Sequence, residues 1–191
     1  MKTYSLTIVL LCFLCATSFA QEPLSPTASQ LFKGFFSKLS LEEKNTVAQL
    51  SNFTLDTKDN QLYAKDSDTP LDVKVYTFDL TNDGVEEIGI IYQPTGNAEK
   101  EDIRSMLFVK DTNGEYKLNL SESGEFYFLN VNALAFPDIY VRNTTIGLPT
   151  YRWNGDHYIK HTSLNPKKLK KYSVSSMKQA SSSYNNTLVG E

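Results

Sequence analysis

Along this chain the spacing of apolar residues changes period. Phe32, Phe35, Phe36 and Leu39 recur at helical spacing, and Leu41, Val47 and Leu50 do the same after them. An apolar stripe every three to four residues marks a helix with one covered face. Ser40-Leu41-Glu42-Glu43, between the two stripes, is a capping box with Ser40 as N-cap and Glu43 at N3. Past Phe53 the period shortens to that of strands. Residues 61–64, 73–78, 87–92, 106–110, 116–120, 125–130, 139–141, 151–153 and 157–161 read as short strands, and Asn113-Gly114 and Asn154-Gly155 as hairpin turns. The expectation is an α+β domain. Two N-terminal helices pack on a mainly antiparallel sheet of about six to eight short strands, with a short C-terminal helix.

Residues 1–20 stand apart from this pattern. Lys2 supplies a positive start, an apolar run extends from Leu6 to Leu14, and Ser18-Phe19-Ala20 ends in small residues. That is the form of a signal peptide cleaved after Ala20, and the run is shorter than the roughly 20 residues a membrane helix needs. The expected product is secreted or periplasmic. Of 191 residues, 171 then remain, enough for one domain. The division expected is a signal peptide at 1–20, a single domain at 21–165, and a basic, then Ser-rich tail at 166–191 that forms a weak helix or is disordered. Both cysteines, Cys12 and Cys15, fall in the leader. Thiol catalysis and cysteine-based zinc sites are thereby excluded from the mature chain.

Chemistry converges on one stretch, Asp79-Leu80-Thr81-Asn82-Asp83-Gly84-Val85-Glu86-Glu87-Ile88, between two apolar strands. Asp79, Thr81, Asp83 and Glu87 hold positions one, three, five and nine, and the Val85 carbonyl falls at position seven. Calcium takes about 6–8 oxygen ligands from carboxylates, carbonyls and water, and alternate positions of a curled loop can present them together. Gly84 permits the sharp turn. Three carboxylates in one small volume repel unless a cation compensates them. Without a metal, the same residues make side-chain turns around Asn82-Asp83-Gly84, and both readings stay open on the residues alone. An EF-hand is excluded, because position twelve is Ile90 within a strand-like run, where that motif requires a bidentate Glu.

The loop resembles the D-x-[DN]-x-D-G-x-x-[DE] loop of FG-GAP/VCBS-type repeats, found in integrin α-chain propellers and many bacterial exported proteins. The resemblance implies one calcium ion, held by Asp79, Thr81, Asp83, the Val85 carbonyl and Glu87, in a loop joining two antiparallel strands. Thr81 stands where the family has Asp or Asn. The Phe-Gly and Gly-Ala-Pro phrases of the repeat are missing, and the loop occurs once, which suits a short exported domain rather than a propeller of several blades. Small exported proteins with one such loop often end on a hairpin like Trp153-Asn154-Gly155-Asp156-His157-Tyr158.

The remaining candidates are weaker. His157 and His161 are the only histidines. On a strand, residues four apart are separated by roughly 13 Å, too far to share zinc. A hydrolase would need a second carboxylate across a cleft, and nothing marks one, so no catalytic residue is assigned. Lys167, Lys168, Lys170 and Lys171 form a basic cluster in a chain of net charge −3. It reads as a solvated terminus, or as a surface that docks on the acidic body or on anionic lipid. Nucleic acid is not an expected partner, because no aromatics are interleaved with the four lysines. Sequons at Asn52, Asn119, Asn143 and Asn185 matter only in a eukaryotic secretory pathway. The function expected is an exported, non-enzymatic protein with a structural calcium loop and an unknown protein or cell-surface partner. The alternatives are a metal-independent periplasmic inhibitor or adaptor that binds a partner protein and, third in order, a hydrolase.

Overall fold

The computed structural model describes residues 22–96, 102–131, 135–143 and 147–189. The signal peptide expected over residues 1–20 lies outside them. The described chain is mostly β-structure, which corrects the α+β expectation. Eleven strands form two antiparallel sheets, and the helices are small. The first sheet is a meander in chain order: β1 (Phe53–Asp56), β2 (Gln61–Ala64), β3 (Pro70–Phe78), β4 (Glu87–Pro94), β5 (Arg104–Lys110) and β6 (Tyr116–Ser123). The second contains β7 (Glu125–Leu129), β8 (Asp138–Arg142), β9 (Pro149–Trp153), β10 (Tyr158–Ser163) and β11 (Val174–Ser176), in the order β10-β9-β8-β7-β11.

The physical reason for the correction lies in the middle of the first sheet. Successive residues of β4 and β5 point to opposite faces, yet Ile88 and Ile90 are as buried as Leu107 and Val109. One face, with Ile88, Ile90, Met106 and Phe108, shares a core with Leu31, Val47 and Ala48 of the small helices. The other face, with Phe78, Leu107 and Val109, shares a core with Phe126, Phe128, Ile139 and Val141 of the second sheet. A single sheet under one helical layer would leave that second face in water.

The sheets are joined through Gly124, the sole residue between β6 and β7. Its φ is +116°, and an added Cβ would lie 2.5 Å from the Arg142 carbonyl oxygen. Its N–H donates to the Ile103 carbonyl at 2.7 Å, and the Ser105 hydroxyl donates to its carbonyl at 2.7 Å. The chain therefore crosses from sheet to sheet at a hydrogen-bonded corner.

The first helix is also displaced from its expected place. The apolar stripe of Phe32 to Leu39 is not helical; α1 spans Pro26–Leu31. Ser25 caps it, accepting from the Ala28 N–H at 3.1 Å, with Pro26 at the first helical position. Gly34 turns out of it at φ +69°, and Phe36 is left 70 % exposed. The second helix, α2 (Leu41–Leu50), starts on the Ser40–Glu43 capping box.

After β10 come a 3-10 helix (Pro166–Lys171), β11 at the edge of the second sheet, and α3 (Met177–Val189). Ser176 and Gln179 cap α3 reciprocally: the Ser176 hydroxyl accepts from the Gln179 N–H, and the Gln179 side chain accepts from the Ser176 N–H. Met177 is wholly buried in the second core. Gly89 in β4 makes room for it, since a Cβ there would lie 2.7 Å from the Met177 sulfur.

Candidate functional site

The 79–87 loop closes the β3–β4 hairpin, where Phe78 and Glu87 are register partners. Phe78 and Ile88 anchor its two ends in the cores, and Leu80 folds back into the second one. The loop is thus pinned at both strands and at its second residue. Asn82 at φ +56° and Gly84 at φ +84° curl what remains.

Within the curl, carboxylates accept backbone hydrogen bonds. Asp79 accepts from the Asp83 N–H at 3.2 Å with one oxygen and from the Gly84 N–H at 2.8 Å with the other. Asp83 accepts from the Val85 N–H at 2.8 Å. Glu87 is 1 % exposed and accepts from the Leu80 N–H at 2.7 Å. Burial pushes the Glu87 carboxyl up to about 8; the Leu80 N–H opposes this, and the charges of Asp79 and Asp83 add to it. At neutral pH the group therefore carries a proton for much of the time.

The expected ligands occupy unequal environments. Asp79, Thr81 and Val85 are half-buried, Asp83 is exposed, and Glu87 is buried. Asp79 and Asp83 are close enough for their charge to act on Glu87, but among the described residues no three His, Cys, Asp or Glu side chains gather as a metal-holding group. Thr81 has a different peculiarity. Its hydroxyl oxygen is buried and has no hydrogen-bond partner, a state that costs about 1–3 kcal/mol.

Sequence reasoning passed over Glu86, which is 4 % exposed. Its carboxylate accepts from the Lys38 N–H at 2.9 Å and from the Tyr184 hydroxyl at 3.2 Å, while its carbonyl accepts from the Tyr116 hydroxyl at 2.6 Å. Burial raises its pKa; the Lys38 and Tyr184 bonds work against that. Glu86 thereby ties the loop to α3 and to the segment before α2. The signal was available: two successive acids entering a strand point to opposite sides, so covering both faces of that strand buries both.

A groove of about 1100 Å³ runs beside α3, lined by Phe78, Asp79, Asn82, Tyr127 and Tyr184 among others. It meets the loop at Asp79 and Asn82. His157 and His161 are both exposed, and His157 Nδ1 lies 3.1 Å from an Asp156 carboxylate oxygen. Among the described residues no helix is long and apolar enough to cross a membrane. No protein-family profile, curated protein or solved structure matches this chain. The likeness to FG-GAP/VCBS-type repeats therefore has the loop residues themselves as its support.

Proposed function

We propose that this is an exported, non-enzymatic protein whose 79–87 loop takes up one calcium ion as a structural ion. The observation that carries the reading is the buried, unpartnered hydroxyl of Thr81, set between Asp79 and Asp83. A hard cation uses hydroxyl and carbonyl oxygens as readily as carboxylates, so the mixed set of Asp79, Thr81, Asp83, Glu87 and the Val85 carbonyl suits calcium. The elevated pKa of Glu87 supports the same reading, since a bound cation would take the place of the proton on this buried carboxyl beside the charges of Asp79 and Asp83. The apolar run before Gln21 supports export.

Thermal melting in calcium and in chelator tests this. Millimolar calcium raises the melting temperature by several degrees, and Asp83→Ala abolishes the rise. Thr81→Val also abolishes it while stabilising the chelated protein, because it removes an unsatisfied buried oxygen. A melting temperature indifferent to millimolar calcium in the unaltered chain removes the proposal.

One observation favours a second reading, a metal-independent inhibitor or adaptor. The Asp79 and Asp83 carboxylates accept backbone hydrogen bonds that hold the curl of the loop, and this gives it a fixed shape for contact with a protein partner. Calcium indifference, together with capture of a specific periplasmic or secreted protein that Asp79→Ala weakens, would favour this second reading.

A further inference from the structure

From His157 to Val189 the chain carries six lysines and no carboxylate. Lys160 lies on β10, four lysines on the 3-10 helix and Lys178 at the start of α3, and all six are exposed. The described lysine and arginine ion pairs belong to Lys74, Lys110, Lys117 and Arg152 instead, and the six side chains have no other partner among the described residues. Among the described residues the basic cluster makes no ion pair with the acidic body. A 3-10 helix turns every three residues, so Lys167 and Lys170 share one side and Lys168 and Lys171 another. Charge is spread around the segment rather than focused into a cleft.

Large apolar side chains are exposed in the same region. Ile159 is 43 % and Tyr172 is 37 % exposed. Ile159 is the cross-strand partner of Arg152, and Tyr172 lies close enough to influence the Arg152 charge. Arg152 itself is paired with Asp138 at 2.7 Å, and Tyr172 follows directly on the lysine-bearing helix.

We infer that the Pro166–Lys171 helix with Tyr172, together with the Ile159 side of β10, docks on the anionic lipid surface of a membrane. Juxtamembrane lysines each gain roughly fivefold in binding from an anionic leaflet. Tyrosine favours the headgroup boundary, where its ring is covered and its hydroxyl stays wet. Dispersed ammonium groups suit a diffuse layer of headgroups; a fixed phosphate or carboxylate would be better met by the arginine fork. An acidic polymer would satisfy the lysines but offer nothing to Ile159 and Tyr172. The net charge of −3 repels the rest of the protein from the same surface and turns this face toward it. The inference is independent of calcium binding by the 79–87 loop.

Vesicle co-sedimentation tests it, on the chain from Gln21 onward, which holds every described element, and in chelator, so that the loop plays no part. The vesicles are phosphatidylcholine alone or with phosphatidylglycerol as about a third of the lipid. Expected are binding to the mixed vesicles only and a steep decline with salt. Combined Lys167→Gln, Lys168→Gln, Lys170→Gln and Lys171→Gln costs about a hundredfold or more. Ile159→Ser with Tyr172→Ser weakens vesicle binding about tenfold and leaves binding to dextran sulfate unchanged. Near-ultraviolet circular dichroism verifies that both variants are folded. Absence of a preference for the anionic vesicles overturns the inference. So does unaltered vesicle binding by the Ile159/Tyr172 variant, which would assign the face to acidic polymers.

Discussion

Burial of Glu87 removes the water that would stabilise its charge, and Asp79 and Asp83 add repulsion, so its pKa rises from 4.5 to about 8. Between those values the folded chain keeps a proton that the unfolded chain releases. The stabilisation this provides is complete below about 4.5 and is lost as pH rises through about 8, at up to about 1.4 kcal/mol per pH unit. Glu87→Gln has the shape of the protonated acid and no proton to lose. Urea unfolding in chelator at the two ends of that window should show the unaltered chain losing stability toward the alkaline end and the variant losing markedly less. Equal slopes would mean that Glu87 does not titrate there. At this scale the sequence revealed oxygen types and their spacing, which is why Asp79, Asp83 and Glu87 drew notice. It concealed which oxygens the backbone N–H groups would occupy, because that depends on the curl at Asn82 and Gly84. Glu86 went unnoticed because its partners, Lys38 and Tyr184, come from distant parts of the chain.

Helix α3 packs mainly on β3 and reaches β4 through Met177, where Gly89 has no side chain. An added methyl would lie 2.7 Å from the Met177 sulfur and 2.9 Å from the Phe78 ring. Gly89→Ala should therefore loosen α3, at a cost of about 1–3 kcal/mol, read as faster amide hydrogen exchange across 177–188 than across β5. Met177→Ala opens part of the needed space, so the double variant should be less destabilised than the sum of the single ones. Additive costs would show that the helix does not press on Gly89. The cap of this helix was legible in Ser176-Met177-Lys178-Gln179, the same pattern as Ser40–Glu43, but the serine run behind it obscured the signal. The displaced first helix has another cause. Spacing among Phe32, Phe35, Phe36 and Leu39 mimics a helical face, yet Ser25-Pro26 is the stronger start signal and Gly34 the stop.

One continuous run, β6 through Gly124 into β7, belongs to both sheets, and Leu120 and Phe126 on either side of the corner share the second core. Neither sheet can open fully without moving the other. Trp153, the only tryptophan, lies in the second sheet, while far-ultraviolet circular dichroism reports on both. Urea transitions followed by the two probes should coincide; separate midpoints would show that the sheets unfold independently. Most strands were readable individually because each keeps its short period between Gly, Asn or Pro turns. Their division into two sheets was not, because Gly124 stands between the strands read at 116–120 and 125–130, and a left-handed glycine marks a reversal and a corner alike.

Met177 completes the second core from a helix that follows all eleven described strands in the chain. The cover over Phe78 and Gly89 is thus supplied by a segment remote from them in sequence, and this part of the core closes only after a long stretch of chain has been gathered in.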